Sequence, residues 1–215
     1  METRKLILRG KFGIIILICA TLLLSACANP ALEHLELGDT YADQGQWDEA
    51  IIEYNKSIEL DPDLAMAYNN RGDAYYEKGE FDRAIADCDK AIELDPELAM
   101  AYGNRGLAYC EKGEFDRAIA DFNKAIELDP ELAMAYGNRG IVYYGKGELD
   151  KAIADCDKAI ELDPELAVAY LFRAYAYYGK GEVAKAVSGL ERCIELSTDP
   201  VVVEVAQQML DELGQ

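Results

Sequence analysis

The dipeptide Asp-Pro returns along this chain every 34 residues, beginning at residues 61, 95, 129 and 163, and this period constrains the fold more than any other feature. On this period, residues 31–200 divide into five copies, which span 31–64, 65–98, 99–132, 133–166 and 167–200. The second and third copies differ at only five of their 34 positions. A fixed period of this length is typical of a solenoid, whose units bury their apolar faces against their neighbours.

Each copy has the pattern of two short helices joined by a glycine. In the third copy Tyr102, Gly106 and Tyr109 are separated by four and three residues, which places them on one helical face. Gly113 is expected to break this helix, and a second helix is predicted from about Phe115 to Leu128. A helix of this length is marginal in isolation, so the copies must stack to be stable.

The helix ends are predicted from capping signals. Asp95 is expected to cap the first helix of the third copy, with Pro96 in its first position. After the fifth copy, Val201–Leu213 is amphipathic, with Val205, Met209 and Leu213 at spacings of four. We interpret residues 201–215 as a capping helix that covers the open face of the last copy.

The copies resemble the tetratricopeptide repeat (TPR) family over residues 31–200. The family pattern has a large residue at position 4, a small one at 8, Tyr at 11, Ala at 20, an aromatic at 24, Ala at 27 and Pro at 32. The third copy supplies Tyr102, Gly106, Tyr109, Ala118, Phe122, Ala125 and Pro130. Departures include His34 at position 4, Cys88, Cys156 and Leu190 at position 24, and Thr198 at position 32 of the fifth copy. The resemblance implies an all-α, right-handed solenoid of five helical hairpins.

The first 26 residues have the organisation of a secretory signal peptide. A basic start is followed by an apolar run over residues 12–24 and by small residues. The run is shorter than the roughly 20 residues that a membrane-spanning helix needs. The Leu-Ser-Ala-Cys sequence ending at Cys27 resembles the lipobox of bacterial lipoproteins, which implies cleavage before Cys27 and acylation of its thiol. An uncleaved signal anchor, or an ordinary signal peptide with a chance cysteine, is the alternative.

This resemblance implies a lipidated linker at residues 27–30 and an extracytoplasmic location on a bacterial membrane. No Asp follows Cys27 directly. In a Gram-negative cell, an Asp at this place resembles a signal that retains a lipoprotein in the inner membrane. Its absence therefore implies sorting to the outer membrane, facing the periplasm.

The strong negative charge restricts the partners. The chain carries a formal charge of −20, and without the basic leading segment the remainder is at −23. Nucleic acid and anionic membrane surfaces are bound through Lys and Arg, so neither is an expected partner. A basic protein or peptide is favoured instead.

No catalytic, cofactor or metal site is predicted, and no small-molecule substrate is expected. The only histidine, His34, occupies a packing position. In Asp87-Cys88-Asp89 and Asp155-Cys156-Asp157, residues two apart on a helix point in different directions, so we interpret the carboxylates as solvated flanks of a buried thiol. The four cysteines after Cys27 are interpreted as structural, and their spacing indicates no disulfide pair.

An arginine recurs at position 7 of four copies. An arginine here can lay its stem on the core and pair its head with carboxylates, and an anion site is the alternative. The four residues are Arg71, Arg105, Arg139 and Arg173.

The resemblance places a peptide groove on the first helices of the copies. Positions 2, 6, 9 and 12 of the three central copies combine adaptable Met, amphipathic Tyr and backbone-pairing Asn. The predicted groove residues are Met66, Asn70, Asp73, Tyr76, Met100, Asn104, Leu107, Cys110, Met134, Asn138, Ile141 and Tyr144. Packing between copies is the alternative role for some of them. Positions 2 and 5 offer no Lys or Arg, so the carboxylate clamp of chaperone-binding TPR proteins is not expected.

The sequence therefore predicts a membrane-anchored TPR lipoprotein that acts as an interaction adaptor or assembly factor in the cell envelope and is not an enzyme. Two alternatives remain open. One is a regulatory or substrate-recognition subunit docked to an envelope enzyme, and the other is a self-assembling scaffold.

Overall fold

The computed structural model describes residues 29–214, which form eleven helices and no strand. The helices are α1 (Pro30–Asp43), α2 (Trp47–Leu60), α3 (Ala65–Glu77), α4 (Phe81–Leu94), α5 (Ala99–Glu111), α6 (Phe115–Leu128), α7 (Ala133–Gly145), α8 (Leu149–Leu162), α9 (Ala167–Gly179), α10 (Val183–Leu196) and α11 (Pro200–Leu213). The prediction of an all-α solenoid is confirmed, and the predicted second helix of the third copy is α6. No helix in this range is both long enough and apolar enough to cross a membrane.

The helices pack in chain order. The two helices of each copy pack together, and the second helix of each copy also contacts the first helix of the next. The first helices α1, α3, α5, α7 and α9 contact one another in sequence and so form a continuous row. This row is the surface on which the groove residues were predicted.

Two glycines of the third copy fix the geometry of its hairpin. Gly113 ends α5 with φ +74°, a left-handed conformation that side chains other than glycine rarely adopt, so the predicted helix break is confirmed. At Gly106 a Cβ atom would lie 2.7 Å from Phe122 Cε1. The absence of a side chain at Gly106 therefore allows α5 and α6 to approach closely.

The predicted start of α5 is wrong. The helix begins at Ala99, and Asp95-Pro96 belongs to a turn in which the Leu98 amide donates to the Asp95 carbonyl at 3.2 Å. The Asp95 carboxylate accepts from the Glu97 amide at 3.0 Å and so stabilises this turn instead of a helix end. The chain needs these four residues to reverse direction between two packed helices.

The same dipeptide pattern does cap the two terminal helices. Asn29 accepts from the Ala31 amide at 3.1 Å, and Asp199 accepts from the Val201 amide at 2.8 Å, each with proline in the first helical position. Helix α11 therefore begins at Pro200 and packs on α10 as the predicted cap. Val205 of the predicted apolar stripe is exposed, and Ala206 is buried in its place.

The core runs through the stack at position 24 of every copy. Its residues, all at most 2% exposed, are Tyr54, Cys88, Phe122, Cys156 and Leu190. The departures from the aromatic pattern are therefore core residues. Cys193 is also fully buried, and the cysteines at 88, 110, 156 and 193 are free thiols.

The position-7 arginines join neighbouring copies. Arg105 donates from Nε and Nη2 to both oxygens of Asp121 in its own copy, at 2.8 and 2.6 Å, and from Nη1 to Asp89 in the preceding copy. Arg71 and Arg139 repeat the arrangement, whereas Arg173 has Asp157 alone among the described acceptors. The structural interpretation of this ladder is confirmed.

The ladder also corrects the interpretation of the Asp-Cys-Asp segments. Asp87 and Asp155 are buried and hydrogen bonded to Arg71 and Arg139, so they are not solvated flanks. The sequence argument considered the direction of the carboxylates on their own helix but not the arginine facing them.

Candidate peptide-binding groove

Three adjoining pockets lie along the row of first helices. We call them the acidic pocket, the central pocket and the apolar pocket, in order from the first copy to the last. Met100, Asn104 and Asp73 line both the acidic and the central pocket, and Leu107 and Asn138 line both the central and the apolar pocket. The pockets are therefore parts of one continuous groove.

The acidic pocket lies at the N-terminal end and has a volume of about 460 Å³. It is lined by Asp39, Ala42, Asp43, Tyr54, Asn69, Asn70, Asp73, Met100 and Asn104. Its lining contains three carboxylates and no Lys or Arg. This charge favours a cationic group in the pocket.

A chain of hydrogen bonds forms the wall of the acidic pocket. Asn104 Nδ2 donates to Asn69, Asn69 donates to Asn70, and Asn70 donates to Asp39 at 2.8 Å. The Tyr54 hydroxyl donates to the same Asp39 oxygen at 2.8 Å. Burial, and then Asp39, raise the pKa of Tyr54, so its hydroxyl remains a proton donor. The wall is thus held in place before any ligand arrives.

Asp73 lies where the acidic and central pockets meet. Its pKa is raised first by burial and then by the nearby Glu77 carboxylate. Both effects disfavour the ionised form, and a cation bound nearby would oppose them. A basic ligand beside Asp73 would therefore stabilise its ionised carboxylate.

The central pocket, of about 280 Å³, is mainly apolar. Met100 and Met134 lie on its rim, and both are nearly half exposed. Because methionine is flexible and polarisable, this rim suits a variable peptide side chain.

The apolar pocket has a volume of about 380 Å³ and is lined mostly by aromatic and aliphatic side chains. It is lined by Tyr76, Leu107, Cys110, Glu111, Phe115, Asn138, Ile141, Val142, Tyr144, Gly145 and Phe172. Burial raises the pKa of Cys110 to about 11, so its thiol is neutral at pH 7 and acts as part of an apolar wall.

Eleven of the twelve predicted groove residues line these pockets. The exception is Met66, which packs against the core of the first hairpin. The amides of Asn70 and Asn104 already take part in the wall described above, which leaves them fewer free groups for a peptide backbone. Peptide binding itself remains a prediction at all twelve positions.

Sequence reasoning missed the contributions of the outer copies. Asp39, at position 9, and Asp43, at position 13, come from the first copy, and Phe172 stands at position 6 of the fifth. The three central copies have Asn at position 6, so the change to Phe was a visible signal. Restricting the prediction to the three most similar copies excluded Asp39 and Phe172, and leaving out position 13 excluded Asp43.

The other titratable groups singled out in the sequence lie away from the groove pockets. His34 Nδ1 lies 2.6 Å from one carboxylate oxygen of Glu53, and the other oxygen accepts from Lys56. Burial raises the pKa of Cys88 and Cys156 to about 12. Among residues 29–214, no group of three or more His, Cys, Asp or Glu residues could hold a metal ion.

Family comparisons match repeats along most of the chain. A model described as TPR repeat matches residues 38–79 and 106–147, and models described as tetratricopeptide repeat match 65–98, 88–120, 133–166 and 167–200. A search among curated proteins gave no match.

Solved structures share the fold. A crystal structure of MamA is 34% identical, with a TM-score of 0.63, over 74% of this chain and 92% of that one. The first TPR of Spaghetti (RPAP3), bound to the HSP90 peptide SRMEEVD, is 30% identical, with a TM-score of 0.53, over 55% of this chain and 94% of that one. A thermophilic TPR protein of Thermus thermophilus, TTC0263, has a TM-score of 0.71 at 19% identity, over 85% of this chain and 98% of that one, and shows likeness of fold alone.

Proposed function

Because this chain belongs to the tetratricopeptide repeat family, we propose that it is an interaction adaptor that holds an extended segment of a partner protein along its row of first helices. Its fold is that of a protein-interaction scaffold. The observation that carries the proposal is the continuous groove, which passes from the acidic to the apolar pocket through shared side chains.

The similar TPR domain of RPAP3 supports a peptide ligand, but the charge of this groove indicates a different one. The RPAP3 ligand, SRMEEVD, contains three acidic residues. The three groove pockets here are lined by Asp39, Asp43, Asp73 and Glu111 and by no Lys or Arg. An acidic peptide would be repelled, whereas a basic segment with apolar side chains would match both ends.

The binding surface is tested by changing Leu107 and Tyr144 to alanine together. Peptides are first selected from a random dodecapeptide library on the wild type, and their Kd values are then measured for each variant. Large apolar residues at the centre of an interface often contribute about 2 kcal/mol or more, so we expect a roughly 30-fold loss of affinity. Circular dichroism checks that the variant keeps its helices.

The matched control changes Lys90 and Lys124 to glutamine. Both lie on second helices, α4 and α6, and both form ion pairs within their own helix. We expect the control to bind the selected peptides as the wild type does. If the control loses binding while the folded groove variant retains it, the second helices form the binding surface and the proposal is wrong.

We further propose that the adaptor is anchored in the cell envelope through a lipid on Cys27, which lies outside the described residues. The lipobox resemblance supports this location, and Pro30, the first residue of α1, follows Cys27 by three residues, so a lipid there would keep the first hairpin near the membrane surface.

Growth with a labelled fatty acid tests the anchor. The wild type is expected to incorporate the label, and Cys27→Ser is expected to lose both the label and membrane association. A Cys27→Ser variant that remains labelled and membrane-bound would contradict the anchor and leave the groove proposal unaffected.

A further inference from the structure

The twelfth position of the copies contains a gap in a row of tyrosines. The second, fourth and fifth copies have Tyr76, Tyr144 and Tyr178 there, whereas the third has Cys110. The second and third copies are otherwise nearly identical, so this is one of only five differences between them. The thiol of Cys110 replaces a phenol ring and leaves space between two tyrosines.

The phenylalanine that packs against position 12 shows the effect of the missing tyrosine ring. In the second copy Phe81 packs on Tyr76, with ring centroids 5.8 Å apart, and is partly buried. Phe115 occupies the equivalent place in the third copy, is 46% exposed and lines the apolar pocket. The pocket therefore lies where the tyrosine of a sister copy would cover a phenylalanine.

A second difference between the two copies affects the same pocket. Position 9 is Asp73 in the second copy and Leu107 in the third. Leu107 lines the apolar pocket beside Cys110, and Ile141 follows at position 9 of the fourth copy. The two changes together make the pocket of the third copy both empty and apolar.

The far wall of the pocket is held against collapse. Tyr144 stacks on Tyr175 at 5.7 Å and meets Phe172 at 5.9 Å, and those two rings also contact each other. Both rings pack against Tyr144 and so hold it in place at this wall of the pocket. The space is therefore available to a group from outside the chain.

We propose that the Cys110 pocket receives one aromatic side chain, Phe or Tyr, of the partner peptide, whose ring takes the place of the tyrosine that the third copy lacks. This inference rests on the proposed function and specifies its ligand. An aromatic ring fits because the sister copies fill the same position with one, and because Phe115, Tyr76 and Tyr144 offer ring edges and faces.

The position of the acidic pocket sets the spacing of the ligand. The carboxylates of the acidic pocket lie on α1 and α3, and Cys110 lies on α5, one or two steps along the row of contacting first helices. At about 8–10 Å between packed helices and about 3.3 Å per extended residue, one step corresponds to about 3 residues and two steps to about 6. The ligand thus has a Lys or Arg about 3–6 residues from its aromatic residue.

The test uses two synthetic peptides and a substitution copied from the sister repeats. Each peptide has two lysines, a Gly-Ser spacer of five residues, and then Phe or Gly. Calorimetry with the wild type is expected to give about tenfold tighter binding for the Phe peptide. Cys110→Tyr, which restores the residue of the second copy, is expected to bind the Phe peptide as weakly as the Gly peptide.

Asn123→Asp is the matched control. It also copies the second copy into the third, but it lies on α6 outside the groove pockets, where Arg139 donates to it. We expect it to retain the full preference for Phe. If Cys110→Tyr does not fold, Cys110→Leu takes its place in the test. Leucine is smaller than tyrosine and fills part of the pocket, so we expect a reduced preference for the Phe peptide over the Gly peptide.

The outcomes separate this inference from the proposed function. Equal binding of the two peptides by the wild type, or an unchanged preference for Phe in folded Cys110→Tyr, overturns the aromatic pocket. The adaptor proposal stands in that case if library peptides still lose binding in the Leu107 and Tyr144 double variant. Failure of both peptides to bind overturns the inference, and failure of the library as well overturns the adaptor proposal.

Discussion

The two ends of the groove are built from the same repeat positions and have opposite chemistry. Position 9 is Asp39 and Asp73 in the first two copies and Leu107, Ile141 and Tyr175 in the last three. The helices that carry these residues contact one another in sequence along the stack. One partly buried register position therefore changes the groove from acidic to apolar along a continuous row of helices.

The comparison depends on α5, which contributes Met100 and Asn104 to the acidic pocket and Leu107 and Cys110 to the apolar pocket. We expect Gly106→Leu to disrupt both ends, because even a Cβ atom at Gly106 would lie 2.7 Å from the buried ring of Phe122. Overpacking of this kind costs about 1–3 kcal/mol of unfolding free energy, measurable by urea denaturation.

Gly103→Ala is the control on the same helix. A Cβ atom at Gly103 has no neighbour within 4 Å, so the better helix propensity of alanine should stabilise the protein by about 0.5–1 kcal/mol. Equal effects of the two substitutions would mean that α5 and α6 do not pack closely at Gly106.

Exchanging the chemistry at position 9 tests the apolar end directly. Leu107→Asp places a carboxylate among aromatic rings, so we expect at least about tenfold weaker binding of the Phe peptide, since an uncompensated buried charge is strongly unfavourable. The reciprocal variant Asp73→Leu should weaken the binding of both peptides but leave the preference for the Phe peptide over the Gly peptide intact. If Leu107→Asp binds the Phe peptide normally, position 9 does not contact it.

Peptide binding at the acidic end of the groove should depend on salt concentration, whereas binding at the apolar end should not. We expect Asp43→Asn with Asp73→Asn to weaken the lysine peptides about threefold to tenfold at low salt, because exposed charge pairs contribute about 0.2–1 kcal/mol each. The difference from the wild type should shrink in 1 M salt, where the screening length is only about 3 Å. A loss of affinity that is independent of salt would show that these carboxylates act through structure instead of charge.

The smallest expected effect is the pH dependence of Asp73. Burial and then the nearby Glu77 raise its pKa, so the ionised carboxylate destabilises the fold at pH values above the raised pKa. This penalty disappears as the pH falls through the raised pKa to the ordinary pKa of an aspartate. Asp73→Asn should raise Tm at pH 7 by about one or two degrees, at about 2–4 °C per kcal/mol for a domain of this size. The gain should vanish at acidic pH, and a gain that persists there would point to a cause other than charge.

The stacked hairpins could be predicted from the 34-residue period together with the resemblance to the TPR pattern, because the two helices and the break between them recur in every copy. The turn at Asp95-Pro96 could not, because a carboxylate before proline stabilises a turn or caps a helix depending on the packing of the helices on either side. Which repeat positions line the pockets could also be predicted, from the resemblance to the TPR family. The use of Asn70 and Asn104 within the wall could not, because their partners lie on neighbouring first helices.

The apolar pocket shows a different limit of the sequence. The change from Tyr76 to Cys110 was visible when the copies were aligned, but what it exposes is Phe115, five residues further along the chain. A missing side chain has consequences only for the neighbours that it would have covered, and those neighbours come from other helices.

The arginine ladder has a consequence for how chains of this kind change length. Each of Arg71, Arg105 and Arg139 takes one acceptor from its own copy and one from the copy before it, always 16 residues away in either direction. A genetic duplication or deletion of 34 residues within these copies supplies or removes an arginine together with its acceptors, so every remaining arginine keeps two. The ladder thus lets recombination lengthen or shorten the groove by whole copies without leaving an unpaired charge at the junction.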